Sequence, residues 1–150
     1  MRVYLVIIDE SEESRVALRF AARRAAYTGG AVHLLAIVPK QAFNAFAGVQ
    51  ATIEDEARDR AEVLANSAAG ELVSEMGQMP QITVRVGDGK TVIDAFLKEH
   101  REVAALVLGA AANGTPGPLV THFSAHAGSL PCPVFLIPGS LSEAEIDRLS

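Results

Sequence analysis

A glycine-rich segment at residues 109–124, GAAANGTPGPLVTHFS, has the composition of a loop that could bind an anion. Glycines allow backbone N–H groups to approach phosphate oxygens closely, which a Cβ atom obstructs. Pro116 and Pro118 each remove one N–H donor from this segment. No lysine or arginine lies between Arg101 and Arg148. The segment therefore has the glycines of a phosphate loop without its cations.

Three carboxylates, Asp9, Glu10 and Asp88, follow apolar runs at positions where a phosphate-accepting site could form. Response-regulator receiver domains have an acidic pair after their first strand and a phosphate-accepting aspartate after the third. They also need a lysine at the end of the fifth strand, where this chain has FLIPGS. The missing lysine argues against a receiver. Asp88 is then expected to cap a helix, a position that aspartate fills readily.

Two histidines, His122 and His126, are four residues apart and would share a helix face, the spacing of a two-histidine metal site. No Glu, Asp or Cys lies near them in the sequence to complete a tetrahedral set, so two surface polar residues are expected instead. Cys132 has no neighbouring cation that would lower the pKa of its thiol, and it is expected to be inert. His33 lies in an apolar run and is expected to be packed or hydrogen-bonded rather than catalytic.

The elements that position these residues alternate between strands and helices. Apolar runs predict strands at residues 3–8, 31–38, 81–86, 104–110 and 133–138. Helical spacing predicts helices from Ser11 to Gly29, from about Thr52 to Met76, over 89–100, and for about ten residues after the glycine-rich segment. The residues predicted to face the core are Ala17, Leu18, Ala21, Ala22 and Ala25 in the first helix, Ala57, Ala61, Leu64, Ala68 and Leu72 in the second, and Val92, Ile93, Phe96 and Leu97 in the third.

This alternation predicts a three-layer α/β/α fold of the Rossmann-like class, with helices on both faces of a five-stranded parallel sheet. The first and fourth runs are the most apolar, so we expect them in the middle, in the strand order 3-2-1-4-5. Ligands of such sheets bind outside the carboxyl ends of the strands, where the order reverses. Asp9 and Gly109 are therefore predicted to face each other across a crevice.

The 150 residues are predicted to form one domain at 1–139 and a short tail at 140–150. In the tail, Ser140 and Ser142 each precede a glutamate by three residues, the pattern of a capped helix. The net charge of −5 argues against nucleic-acid binding, and no apolar stretch approaches the ~18 residues of a membrane span. The single cysteine and the lack of a signal-peptide pattern predict a cytoplasmic protein.

A basic stripe is predicted on the first helix, where Arg15, Arg19 and Arg23 recur at helical spacing. Such a stripe is expected to pair with acids such as Glu12 and Asp55, or to dock a partner protein.

The segment 39–51, between the second strand and the second helix, is predicted to be irregular. Its apolar residues Phe43 and Phe46 could cover the crevice, pack at a subunit interface or join the core, and the sequence leaves these alternatives open.

The order of these features resembles that of the universal stress protein (UspA-type) family over nearly the whole chain. The matching segments, in order, are VIIDESEESRVALRFAARRA, HLLAIV, VRVGDGKTVIDAFLKEH and PCPVFLIP. The resemblance implies the adenine nucleotide alpha hydrolase-like form of the Rossmann-like fold. It also implies a homodimer joined along the last strand, through Val134, Phe135, Leu136 and Ile137.

ATP-binding members of that family resemble the motif G-x2-G-x9-G-[ST] after the fourth strand. Here Gly109 fills the first position. The second position falls on Ala112, with Gly114 two residues late, and the final pair falls on Val120 and Thr121. The loop is therefore predicted to be a degenerate form of the nucleotide-binding motif.

Two functions follow from the resemblance. The first is a non-catalytic stress-response regulator that acts through dimerisation and contacts with unidentified protein partners. The alternative is a sensor of ATP or AMP, in which Asp9 and the backbone at Val38 contact adenine or ribose while Gly109 and Thr121 hold phosphates. The loop composition argues against ATP more than against AMP, which carries less charge. The motifs G-x4-G-K-[ST], G-x-G-x-x-G and G-x-S-x-G are absent, so no enzyme is predicted.

Overall fold

A computed structural model describes residues 1–40 and 47–150 of the chain. Its strands are β1 Val3–Ile8, β2 Ala31–Val38, β3 Gln81–Val86, β4 Val103–Ala110 and β5 Val134–Pro138. Its helices are α1 Glu12–Thr28, α2 Ala47–Met76, α3 Gly89–Glu99, α4 Pro118–Ala125 and α5 Glu143–Leu149, with a turn of 3-10 helix at Ala127–Ser129. All the predicted strands occur, and the start of β4 and of β5 each differs from its prediction by one residue.

The strands form one parallel sheet in the order β3-β2-β1-β4-β5, which confirms the predicted order. β1 lies at the centre, where Val3 pairs with Ala31 of β2 on one side and with Val103 of β4 on the other. Because all five strands are parallel, their carboxyl ends lie along one edge of the sheet. The strand order reverses between β1 and β4, which places the crevice at that edge.

The boundaries of α1 follow from local chemistry. The Ser11 hydroxyl accepts a hydrogen bond from the N–H of Ser14 at 3.2 Å and so caps the first turn. Gly29 ends the helix in the left-handed conformation with φ of 68°, which residues with a Cβ rarely adopt. The predicted core face is buried as expected: Ala17, Leu18, Ala21, Ala22 and Ala25.

Two apolar layers enclose the sheet and confirm the three-layer class. On one face, Leu18 and Ala21 of α1 pack in a cluster with Leu34 of β2. On the other face, Phe96 of α3 and Phe123 of α4 are fully buried in a second cluster. Helices on both faces explain why the central strands are continuous apolar runs.

The long helix α2 begins at Ala47, earlier than the predicted Thr52. Its buried residues are Ala65, Ala69 and Leu72, whereas the predicted Ala57, Ala61, Leu64 and Ala68 are only half-buried. Thirty residues span about 45 Å, longer than strands of five to eight residues, so the first half of α2 packs less closely on the sheet. Phe43 and Phe46 lie outside the described residues. In the described part of the chain, no helix combines the length and apolar character needed to cross a membrane.

The tail forms the predicted helix. Ser142 and Glu145 make a reciprocal capping box, with N···O distances of 3.2 and 3.1 Å. The same hydrogen bonds lower the pKa of the Glu145 carboxyl. Ile146 is 1 % exposed, so α5 packs against the body of the domain.

The predicted partners of the basic stripe are wrong. Arg19 binds Asp147 of α5, with its Nη2 2.9 Å from Oδ2, and Arg23 also lies 3.4 Å from Asp147. Among the described residues, neither Glu12 nor Asp55 forms an ion pair with the stripe. The Arg19 hydrogen bond lowers the pKa of Asp147. The pairing joins residues far apart in sequence, which helical spacing could not reveal.

Candidate functional site

The carboxyl ends of β1 and β4 border a small cavity of about 130 Å³, which also touches the starts of α1 and α4. Three predicted site residues, Asp9, Gly109 and Val120, line this small cavity. The predicted residues that do not line it are Val38, Ala112, Gly114 and Thr121. The fold thus brings Asp9 and Gly109 together across the crevice as predicted.

Gly109 is required by packing, whether or not a phosphate binds. A Cβ added at this position would overlap the carbonyl oxygen of Glu13 in the first turn of α1. Gly139 is similarly close, since its Cβ would lie 2.9 Å from the Cβ of Glu13. The two glycines therefore allow the start of α1 to pack on the ends of β4 and β5.

The two residues predicted as the final pair of the motif, Val120 and Thr121, interact within the protein. Val120 is buried in the apolar cluster beneath α3 and α4. Thr121 is exposed, and its hydroxyl donates a hydrogen bond to the carbonyl oxygen of Gly117 at 2.9 Å. The hydroxyl predicted to hold phosphate therefore already has a backbone partner.

Ala112 and Gly114 lie in an exposed loop outside the cavity. The N–H of Ala111 donates to the carbonyl of Pro116 at 3.1 Å and closes this loop on itself. Gly114 has φ of 74°, a conformation that residues with a Cβ atom rarely adopt, so the turn requires glycine at this position.

Asp9 fixes the turn between β1 and α1. Its Oδ1 accepts hydrogen bonds from the backbone N–H of Ser11, at 2.8 Å, and from the Ser11 hydroxyl. Its own N–H donates to the hydroxyl of Ser14 at 3.1 Å. Within residues 1–40 and 47–150, no hydrogen bond reaches Oδ2 of Asp9, which leaves that oxygen able to accept one from a ligand.

The small cavity is electrostatically unsuited to a polyphosphate. Asp9 and Glu13 both line it, and no described lysine or arginine does. Pro116 and Pro118 on its wall lack the N–H donors that a phosphate loop supplies. Close carboxylates repel an anion, so this cavity repels the charge that the motif would have to hold.

Val38 is buried at the end of β2, away from the small cavity. Its carbonyl oxygen accepts the N–H of Gly87 at 2.9 Å, so the backbone predicted to contact adenine already joins β2 to the turn after β3. Val38 lines a separate cavity of about 390 Å³ on the α2 side of the sheet, together with Asp9 and Ala61.

A larger cavity of about 500 Å³ lies between the ends of β1, β2 and β3 and the starts of α3 and α4. Its apolar wall consists of Ile7, Ile8, Ile37 and Leu119. Asp9, Lys40, Asp88 and Lys90 are its charged lining residues. This volume falls in the range of about 300–1,000 Å³ that small-molecule sites occupy. The larger cavity therefore has the size and the cations that the small cavity lacks.

Sequence reasoning missed both lysines, although a signal for them exists. Lys40 follows β2 by two residues, and Lys90 follows β3 by four. Because β2 and β3 are parallel neighbours, residues just beyond their carboxyl ends must approach each other.

The start of α3 borders the larger cavity, and Asp88 caps it as predicted. The Asp88 Oδ2 accepts the N–H and the hydroxyl of Thr91 at 3.2 and 3.1 Å. A Cβ on Gly89 would lie 3.1 Å from Leu119 Cδ2 and 3.9 Å from Ile37 Cδ1, so this glycine leaves space within the cavity.

The remaining candidates lie apart from a ligand site. His122 and His126 stack at 4.4 Å between ring centroids, and within the described ranges no three potential metal ligands gather. Burial raises the pKa of the half-buried Cys132 thiol, which keeps it protonated. His33 lies in the first half of β2, with its Nε2 2.7 Å from Thr83 Oγ1. Burial and the neighbouring His100 lower the pKa of His33.

Comparisons with known proteins agree with this fold. UspA from Lactobacillus plantarum is 22 % identical, with a TM-score of 0.72 over 91 % of this chain and 97 % of that one. A universal stress protein from Archaeoglobus fulgidus in complex with dAMP is 18 % identical, with a TM-score of 0.64 over 91 % and 97 %. A family protein from Arabidopsis thaliana with AMP bound is 17 % identical, with a TM-score of 0.62 over 92 % of each chain.

At these identities the similarity to solved structures establishes the fold alone. Among curated proteins, no significantly similar sequence was found. The model of the universal stress protein family matches residues 1–138, which is nearly the whole chain and ends before α5. The chain therefore belongs to the universal stress protein family.

Proposed function

We propose that the chain is a non-catalytic regulator that binds an adenine nucleoside monophosphate in the larger cavity. The observation that carries this proposal is the 500 Å³ space at the carboxyl ends of β1, β2 and β3, with an apolar wall and two lysines. An apolar wall suits a nucleobase, and the Oδ2 of Asp9 suits a ribose hydroxyl. AMP therefore matches the cavity in chemical class.

A monophosphate fits this crevice better than ATP. Each further phosphate adds negative charge, and the adjoining small cavity presents the carboxylates of Asp9 and Glu13. The motif that would hold a triphosphate has Gly109 packed on α1 and Thr121 bonded to Gly117.

Relatives support the class of ligand. The Archaeoglobus fulgidus and Arabidopsis thaliana proteins are described with dAMP and AMP, and a further universal stress protein with cAMP. All three ligands are adenine nucleotides with a single phosphate.

The hydrogen bonds of the crevice hydroxyls support a regulatory rather than a catalytic role. Ser11 and Ser14 are bound to Asp9 and to the backbone of the β1–α1 turn, so these hydroxyls serve structure. The proposed location is the cytoplasm, whose reducing conditions suit a chain with one cysteine.

The proposal includes a homodimer through β5, which lies at the edge of the sheet. Edge strands present unpaired backbone groups that can recruit another chain. Phe135 packs on Phe20 and Ile137 is buried, whereas Leu136 is 41 % exposed and Val134 is half-buried. The dimer would therefore use the backbone of β5 and Leu136 more than Phe135 or Ile137.

The ligand is tested by calorimetric titration with AMP, ATP and adenosine, after mass spectrometry of the purified protein for a retained nucleotide. We expect AMP to bind most tightly and ATP more weakly. Gly89→Val fills the cavity between Leu119 and Ile37, and it should weaken AMP binding at least about tenfold. The control Gly70→Ala lies in α2 with no neighbour within 4 Å of its added Cβ, and should bind AMP as the wild type does. Tighter binding of ATP than of AMP would contradict the proposal.

The dimer is tested by sedimentation analysis at micromolar concentration. Leu136→Lys should shift the protein toward monomer, while Leu149→Lys, at an exposed residue of α5, should not. A wild-type protein that sediments as a monomer would contradict this part of the proposal.

A further inference from the structure

The cations of this chain differ in what they contact. Arg19, Arg23 and Arg85 each have a carboxylate partner, at distances of 2.8 to 3.4 Å. Lys40 and Lys90 form no ion pair with any residue of the described ranges, and both are exposed where they line the larger cavity.

These two lysines reach the cavity from different elements. Lys40 follows β2, and Lys90 lies in the first turn of α3. Gly89 beside Lys90 has no side chain to fill the space between them and the apolar wall. Asp9 and Asp88 also line this cavity, so two carboxylates accompany the two ammonium groups, whereas the charged lining residues of the small cavity are carboxylates alone. Ammonium groups beside an apolar wall match an anion that is attached to an apolar group.

The other end of the crevice is more negative. Asp9 and Glu13 line the small cavity, and no described lysine or arginine lines it. An anionic group in the crevice is therefore drawn to the lysine side and repelled from the side of the glycine-rich segment.

We propose that the phosphate group of the bound nucleotide lies between Lys40 and Lys90 at the end of β2 and the start of α3. It does not lie on the glycine-rich loop after β4. The identity of the ligand as a nucleoside monophosphate rests on the proposed function, whereas the position of the phosphate rests on the distribution of charge. Lys40 and Lys90 are then specificity-determining residues that select a phosphorylated nucleoside over an unphosphorylated one.

The variant Lys40→Gln/Lys90→Gln tests the position. It should weaken AMP binding about tenfold and leave adenosine binding within about twofold, because adenosine has no phosphate. The control Lys98→Gln/Arg101→Gln removes the same charge from exposed residues at the other end of α3 and should leave AMP binding nearly unchanged. Equal weakening by both double variants, or none by the first, would overturn the proposal.

A second measurement separates this inference from the proposed function. Pyrophosphate and AMP are titrated into ¹⁵N-labelled protein, and the amide shifts of Gly89 and Lys90 are compared with those of Ala112, Gly114 and Thr121. Shifts at Gly89 and Lys90 support the site, even where AMP itself fails to bind and the proposed function is lost. AMP binding that shifts Ile7 and Ile37 of the larger cavity together with Thr121, but not Gly89 or Lys90, would keep the proposed function and overturn the phosphate position.

Discussion

The small and the larger cavity both lie at the carboxyl edge of one sheet, and both are bordered by glycines and Asp9. The small one, at the glycine-rich segment, adds Glu13 and measures about 130 Å³. The larger one adds Asp88 together with Lys40 and Lys90, and it measures about 500 Å³. The segment with more glycines thus borders the site less suited to an anion.

The difference lies in what each glycine contacts. Gly109 has the backbone of Glu13 where a Cβ would be, so it serves helix packing. Gly89 has only the flexible side-chain ends of Leu119 and Ile37 near that position, and no backbone. Glycine content alone therefore does not identify a phosphate loop.

The largest expected effect is that of Gly109→Ala on stability. The added Cβ would overlap the Glu13 backbone, which cannot move without shifting α1, so the free energy of unfolding should fall by about 3 kcal/mol. Urea denaturation measures it. Gly128→Ala, with no atom within 4 Å of its added Cβ, should change stability by less than about 0.5 kcal/mol. Equal stability of the two variants would mean that Gly109 is available to a ligand after all.

A smaller effect is expected at Asp88, which belongs to the larger cavity. Asp88→Ala removes the cap of α3 and should lower the free energy of unfolding by about 1 kcal/mol. Asp88→Asn keeps a capping oxygen but removes a negative charge beside Lys90, so AMP should bind about two- to threefold more tightly. Urea denaturation and calorimetry check the two results. Weaker AMP binding by Asp88→Asn would count against an anion in this cavity.

A smaller, pH-dependent effect is expected at His33, away from the crevice. Burial, His100 and Arg85 lower the pKa of His33 in the folded protein, while Glu102 and a hydrogen bond with Gln81 oppose this. The unfolded chain then binds the proton more readily, so stability present above about pH 6.5 is lost as pH falls through the folded pKa.

In urea denaturation, the free energy of unfolding of His33→Gln should fall less between pH 7 and pH 5 than that of the wild type. Because His33 lies in the first half of β2, saturating AMP should raise stability without changing the pH dependence that His33 contributes. A steeper pH dependence in His33→Gln than in the wild type would refute the assignment.

The smallest effect is expected at Thr121, in the glycine-rich segment. Its hydroxyl donates to Gly117 rather than to the cavity, so Thr121→Val should leave AMP affinity within about twofold. Calorimetry is again the measurement. A tenfold loss would restore the loop after β4 as the phosphate site.

The sequence predicted the fold because periodicity and capping are local. The apolar runs at β1 and β4 and the Ser11 and Gly29 boundaries of α1 are each determined within a few residues. The strand order followed from which runs were most apolar.

The candidate site was predicted only in part, because its properties depend on contacts distant in sequence. Gly109 packs against Glu13, nearly 100 residues away, and Val38 bonds to Gly87, nearly 50 residues away. Neither contact can be predicted until the positions of both elements in the fold are known. The pairing of Arg19 with Asp147 escaped prediction for the same reason. Composition could show that the loop lacked cations, but not that Lys40 and Lys90 line a neighbouring space.

The central position of β1 has a consequence for how the chain folds during synthesis. Val3 pairs with Val103, so β1 acquires its second neighbour only after a further hundred residues have been made. At ordinary rates of translation this leaves one edge of an apolar strand uncovered for roughly 5 to 20 seconds. The central strand β1 therefore depends on residues made much later, and on chaperones until then, for protection from aggregation.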